Sequence, residues 1–321
     1  MEATTIRWVI IAAIAPVAWG STYVVTRLLL PADYPLWGGA IRALPAGLLL
    51  LLIARSRPHG QWWWKSLVLG TVNVGAFFAL VYAAAQLLPS GVAATLMATS
   101  PVVMMLLAWP LLAERPRAAS FVGAGIGIAG VCLLVAGESG TIRPLGVVAS
   151  LAAMLMSSVG YVLTKRWGGG VDVLSLTSWQ LIAGGIMLVP VAVLVEGAPP
   201  TLDAPTALGF AYVSIVATAV AFWAWFTGLR HLTAGAVGVI GLLNPVTGVA
   251  LGALIGAEIF GLPQLAGMIL VGGGILVSQV RRSGRARTAQ ATLVRRGARK
   301  SGGPGSSSRS RSVASSAYSV R

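Results

Sequence analysis

Acidic side chains are almost missing from this chain. Eight Asp and Glu stand among 321 residues: Glu2, Asp33, Glu114, Glu138, Asp172, Glu196, Asp203 and Glu258. All of them fall at the ends of long apolar runs or between runs. A carboxylate relay buried in a membrane, the common device of proton- and sodium-coupled carriers, therefore has no residue to use. Histidine is scarcer still, with only His59 and His231. No His-Glu-x-x-His string occurs and no aspartate pair shares a run, so neither a metal site nor a nucleophile with its base can be assembled. No enzyme, metal or cofactor is expected. Cys132 is the single cysteine, which excludes an internal disulfide and leaves the redox compartment unread.

What is present is apolar. Hydrophobic residues make up 56% of the chain and charged residues 10%, where a soluble domain carries about 25% charged residues; the mean hydropathy is +0.84. Membrane-crossing helices need runs of about 20 apolar residues bounded by charge or turn chemistry. Ten runs qualify, at 8–29, 36–54, 66–86, 91–111, 118–136, 145–164, 174–195, 206–228, 234–255 and 263–280. Arg7 precedes the first run as in a signal peptide. The run is longer than the roughly 7–15 residues of a signal core and continues into Trp19, Ser21, Thr22 and Tyr23, so a retained helix is expected. The fold class is an all-α integral membrane protein.

The runs repeat. Pro101 and Glu114 recur 144 positions later as Pro245 and Glu258, and Gly91, Gly123 and Gly130 keep that register with Gly235, Gly267 and Gly274. Upstream a shift of 138 matches Tyr23 with Tyr161, Thr26 with Thr164, Arg27 with Lys165, Arg42 with Gln180 and Gly47 with Gly185. Two homologous halves follow, 8–136 and 145–280, each with five spans. An odd span number turns the second copy upside down in the bilayer, as in many secondary transporters.

Charge supplies the orientation. With the amino terminus inside, the cytoplasmic connections carry Arg55, Arg57, Lys65, Arg115, Arg117, Lys165, Arg166 and Arg230, and the outer ones carry Asp33, Glu138 with Arg143, Glu196 with Asp203, and Glu258. This bias puts both termini in the cytoplasm, in a cell membrane. Residues 281–321 hold eleven Lys or Arg and no acid, which leaves 12 basic and 8 acidic groups, or +4 of the total +15, in the rest. That segment reads as a disordered basic tail that anchors topology and is drawn loosely to anionic lipid headgroups. Tyr318 is its one aromatic residue, so it lacks a stacking platform and nucleic acid is not an expected partner.

Few polar groups lie within the spans. Arg42 either snorkels to the interface or walls a cavity and holds a carboxylate; its repeat mate Gln180 is also polar. Trp19 and Tyr23 are four apart, hence on one helical face, and Tyr161 repeats Tyr23. Trp223, Asn73 and Asn244 sit inside spans, where an amide needs partners from another helix, a wet cavity or a ligand. Trp37 and Trp62-Trp63-Trp64 stand at span edges and read as interfacial belt residues. Ser100-Pro101 and Asn244-Pro245 are mates near mid-helix, and a proline there leaves a carbonyl without its helical partner. Bends are expected at Pro101 and Pro245, as hinges or as packing kinks. Glycines at 123, 127 and 130, and at 267, 272, 273 and 274, predict close contact of the fifth and tenth spans with each other or with a second subunit in a homodimer.

These residues carry a family resemblance. The string Trp19-Gly20-Ser21-Thr22-Tyr23, Arg42, the segment from Ser100-Pro101 through Glu114, and the glycine-rich stretch after it, repeated from Asn244-Pro245 onward, resemble the drug/metabolite transporter superfamily, in the ten-span form with two EamA domains. The resemblance covers residues 8–280. It implies a basket of ten helices in inverted repeats around a central cavity, and a metabolite transporter that is often an exporter of amino acids or related compounds. Carried over, the implied lining is Trp19, Tyr23, Asn73, Ser100, Tyr161, Trp223 and Asn244. The first span lacks the glutamate that the small multidrug relatives use for proton coupling, so that route is not expected here.

Overall fold

In hydrocarbon a backbone can satisfy its polar groups only internally, and the apolar runs fold accordingly as helices. The computed structural model describes residues 3–88, 90–136, 142–255 and 261–279, and no strand occurs among them. The helices are α1 (Ala3–Leu29), α2 (Pro35–Ala54), α3 (Trp62–Leu87), α4 (Val92–Leu112), α5 (Ala118–Leu134), α6 (Pro144–Trp167), α7 (Val173–Glu196), α8 (Ala204–His231), α9 (Ala234–Ile255) and α10 (Leu262–Gln279). Among the described residues nine helices are long and apolar enough to cross a membrane. The tenth expected span is α5, a shorter apolar helix of 17 residues. At 1.5 Å per residue it reaches about 25 Å, the lower limit for a span. Glu138, Glu258 and the basic tail lie outside the described residues.

Among the described residues four interruptions break the helices, and they come in pairs. A π-turn, which carries one residue more than an α-turn, occupies Thr71–Gly75 in α3 and Ile215–Val220 in α8. The two begin 144 positions apart. α4 is broken between Met97 and Ser100, and α9 between Ile240 and Leu243. Each break lies just before the proline that the sequence singles out. Around it the ladder tightens to three-residue steps, Thr99 N to Leu96 O at 3.2 Å and Leu242 N to Val239 O at 3.1 Å. Each break coincides with the N–H that Pro101 or Pro245 lacks, whereas Pro16, Pro45 and Pro190 sit inside helices that continue.

The packing is equally paired. α2 lies on α7, α5 on α10, and α4 on α9, while α1 packs against α8 and α9 and α6 packs against α3 and α4. Exchanging the first five helices for the last five leaves this set of neighbours unchanged, as two inverted copies about one pseudo-twofold axis require. The glycine faces explain α5 and α10. A Cβ on Gly123 would lie 2.5 Å from Gly274 O, and one on Gly130 would lie 2.7 Å from Gly267 O. The expected close contact is therefore made within the chain; Gly272 and Gly273 take no part and face open space.

Scarce acids sit where helix ends need them. Asp172 accepts from Ser175 N at 3.2 Å and Asp203 from Thr206 N at 2.9 Å, capping α7 and α8. The Thr206 bonds hold the Asp203 carboxyl below its ordinary range. Glu196 accepts from the α2 amides of Leu36 and Trp37 at 2.6 and 2.8 Å, and Glu114 from Ala234 N at the start of α9 at 2.8 Å. Each carboxylate meets the positive end of a helix dipole. At the opposite kind of site, Lys65 is surrounded by the rings of Trp62, Trp64 and Trp167 at 5.4–5.8 Å, so these belt residues also bind α3 to α6.

Candidate functional site

Arg42 is held across to the second half of the chain. From α2 its Nε donates to Thr218 Oγ1 at 2.8 Å and its Nη2 to Ala217 O at 2.9 Å. Both acceptors belong to the π-turn of α8. The guanidinium also lies over the Phe78 ring at 5.1 Å. Arg42 therefore does not snorkel alone: it is held across two helices and is half-buried. Tyr23 of α1 is 63% exposed and rests on Gly248 of α9. Ser21 and Tyr212 share a 2.6 Å hydrogen bond that ties α1 to α8 beside it.

The mirror site is shut. Gln180, the mate of Arg42, accepts from Asn73 Nδ2 at 2.7 Å and from Thr164 Oγ1 at 3.2 Å, and Asn73 Nδ2 reaches Thr164 Oγ1 at 3.1 Å. Asn73 lies in the α3 π-turn, and its 144-shift mate is Ala217. The same pair of positions thus meets in both halves, as amide to amide in one and guanidinium to carbonyl in the other. Asn73, Thr164 and Gln180 are at most 2% exposed, so two residues expected to line a cavity are packed against each other, with Asn73 Oδ1 left without a partner. Tyr161 is 8% exposed where its mate Tyr23 is 63% exposed.

Between the two polar sites lies an aromatic floor. Trp19 packs on Phe222 and Trp225 at 5.3 and 5.2 Å, and Tyr161 on Trp225 and Phe226 at 5.3 and 6.2 Å. Trp223, singled out from sequence, makes none of these ring contacts and is half-buried against the core. Phe222, Trp225 and Phe226 were missed, although their i, i+3, i+4 spacing is the signature of one helical face. Trp225 Nε1 and Asn244 Oδ1 are buried without a hydrogen-bond partner. Asn244 stands where α9 crosses α1: a Cβ on Gly20 would fall 2.5 Å from its backbone oxygen. Ser100 is half-buried at the break in α4. Among the described residues no group of three or more His, Cys, Asp or Glu could hold a metal ion.

A latch closes the end of the bundle nearest the shut site. Lys165 Nζ at the end of α6 lies 2.5 Å from Glu114 Oε1 after α4, and it also donates to Leu232 O between α8 and α9. With Ala234 N on its second oxygen, Glu114 joins α4, α6 and α9. Ala113, at φ 56°, makes the left-handed turn that brings it back.

Comparison with known proteins fits this architecture. The model of the EamA-like transporter family matches residues 6–136 and again 144–279. Protein PecM of Dickeya dadantii is 36% identical over 267 residues, 83% of this chain and 90% of that protein. The uncharacterized inner membrane transporter YedA of Escherichia coli K12 is 28% identical over 252 residues, 75% of this chain and 80% of that one. A probable amino-acid metabolite efflux pump of Salmonella typhimurium is 28% identical over 299 residues, 86% of this chain and 97% of that protein. A solved crystal structure superposes with a TM-score of 0.75 at 20% identity, over 85% of this chain and 96% of that one, and supports the fold. The chain belongs to the EamA-like transporter family and is a multi-pass membrane transporter of the drug/metabolite type, not an enzyme.

Proposed function

We propose that the chain is a secondary, non-ATP-driven exporter of a small metabolite bearing a carboxylate, an amino acid or related compound, working by alternating access. The observation that carries this reading is the inequality of two mirrored sites, open at Arg42 and Tyr23 and sealed at Gln180, Asn73 and Tyr161. Two halves of one design caught in different conformations are what a carrier needs, since exchanging those conformations moves the opening to the other face. With both termini cytoplasmic, as the Lys/Arg bias directs, Tyr23 and Arg42 lie in the outer half and the conformation faces outward.

Arg42 supplies a fixed cation for the carboxylate, and Trp19 and its aromatic neighbours the apolar wall. The breaks before Pro101 and Pro245 act as hinges. The printed name of one relative, a probable amino-acid metabolite efflux pump, is the motive for proposing that substrate class and that direction.

The test is counterflow of labelled amino acids in proteoliposomes of defined orientation. Arg42→Gln raises the half-saturating concentration at least tenfold, the cost of about 1.5–3 kcal/mol for a hydrogen bond to a charged group. Arg42→Lys keeps part of the affinity. Uptake of substrate against the outward direction would make the chain an importer or exchanger, and an unchanged Arg42→Gln would remove Arg42 from the site. No flux of any carboxylate would leave a non-transporting scaffold.

A further inference from the structure

Behind the latch the chain leaves α4, turns at Ala113 and starts α5. A crevice of about 160 Å³ lies at this turn, lined by Glu114, Arg115, Arg117, Ser120 and Thr233, with Met105 and Ala108 as its apolar floor. Arg115 and Arg117 are exposed, and neither has an ion pair or hydrogen-bonded side chain among the described residues. α5 begins here with no side-chain cap, so the amides of its first turn point to a position that favours negative charge.

Ser120 is the independent observation. It is only 7% exposed, lines the crevice, and its hydroxyl has no hydrogen-bond partner. The oxygen is not sealed from the crevice, so it opens into that space as a donor without a partner among the described residues. Glu114 is the one acid in the lining, and it does not repel an anion: Lys165 neutralises it and Ala234 N holds its other oxygen.

We infer that this crevice binds a phosphate group, held by Arg115, Arg117, the start of α5 and the Ser120 hydroxyl, and that the phosphate belongs to an anionic phospholipid. The amphiphile is favoured over a soluble anion because the basic rim stands at the end of two spans and the floor at Met105 and Ala108 is apolar. Bound there, the headgroup braces α4, α5 and the start of α9 around the Glu114–Lys165 latch. It therefore favours the conformation in which that end is sealed.

The experiment uses the full-length chain, delipidated in neutral detergent and titrated with phosphatidylglycerol, phosphatidylcholine or inorganic phosphate. Retention is read by native mass spectrometry and stability by thermal melting. One phosphatidylglycerol is retained and raises the melting temperature, and phosphatidylcholine does neither. Arg115→Gln and Arg117→Gln each weaken retention about fivefold, the loss of one basic residue near an anionic headgroup. Ser120→Ala weakens it a few-fold and keeps the question open to refutation should an arginine variant fail to fold. Arg166→Gln, exposed at the end of α6, leaves it unchanged. Equal retention by the parent, the arginine variants and Ser120→Ala would assign the lipid to the tail and overturn the site. Equal stabilisation by millimolar inorganic phosphate would overturn the lipid assignment.

Discussion

Removing the latch should open the sealed end, and the structure sets how far. Glu114 contributes an ion pair to Lys165 at 2.5 Å and accepts the Ala234 amide at 2.8 Å. The paired side chains are 16% and 20% exposed, so the pair lies between a surface bridge worth about 0.2–1 kcal/mol and a buried one worth about 3–5 kcal/mol to break. The amide bond to a charged acceptor adds about 1.5–3 kcal/mol. With overlap between the two, Glu114→Ala removes about 2–4 kcal/mol from the closed state, a shift of roughly 30- to 700-fold in the open fraction. Glu114→Gln keeps an oxygen for Ala234 N and loses mainly the ion pair, about 1 kcal/mol or fivefold. The reporter is Ser157→Cys in a Cys132→Ser background. Ser157 lies one turn from Tyr161 on α6, is 3% exposed and bonds only to its own helix. The rate of its modification by a water-soluble maleimide follows the open population. If Glu114→Ala labels within twofold of the parent while melting at the same temperature, the latch does not hold that end closed.

Three further outcomes are expected. Gly130→Val drives a Cβ to 2.7 Å from Gly267 O and 2.9 Å from Val271 Cγ2; overpacking of this kind costs about 1–3 kcal/mol, read as a lower melting temperature, while Gly125→Val, with no atom within 4 Å, serves as the silent control. Gln180→Leu deprives Asn73 Nδ2 of its 2.7 Å acceptor and lowers stability by about 1–3 kcal/mol; an unfolding midpoint unchanged in denaturing detergent would show that the seal is not a structural contact. A reporter active only outside the cytoplasm gives signal when fused after Pro200 and none after Arg282, and the reverse pattern would invert the orientation taken from the Lys/Arg bias.

Helix positions were legible because the bilayer allows the backbone so few alternatives. α9 was expected at 234–255 and stands at Ala234–Ile255, and α3 runs four residues further than its apolar core at the front, through Trp62 to Lys65, where the ladder continues into the interface. The breaks in α4 and α9 were legible because Pro101 and Pro245 lack a donor and recur at one shift between the halves. The π-turns were not. One extra residue changes neither composition nor hydropathy, and in α8 it shifts the phase of the helix between front and back. The face that carries Trp225 rather than Trp223 toward Trp19 therefore cannot be extrapolated from the start of α8. The Glu114–Lys165 pair escaped for another reason: both residues stood out as repeat markers, but contact between them depends on where α4 and α6 end in space.

The two π-turns also bear on how the two halves are related. The same extra residue at the same register in α3 and α8, 144 positions apart, is explained once if the ancestral five-helix unit already carried it when it was copied. Arg42 and Gln180 then descend from one residue, as do Ala217 and Asn73, and each pair began as the same contact seen from opposite sides of the membrane. A carrier with two identical halves has no energetic reason to prefer either face. On that account, the guanidinium at one position and the amide at its twin mark where the two halves cease to be equivalent.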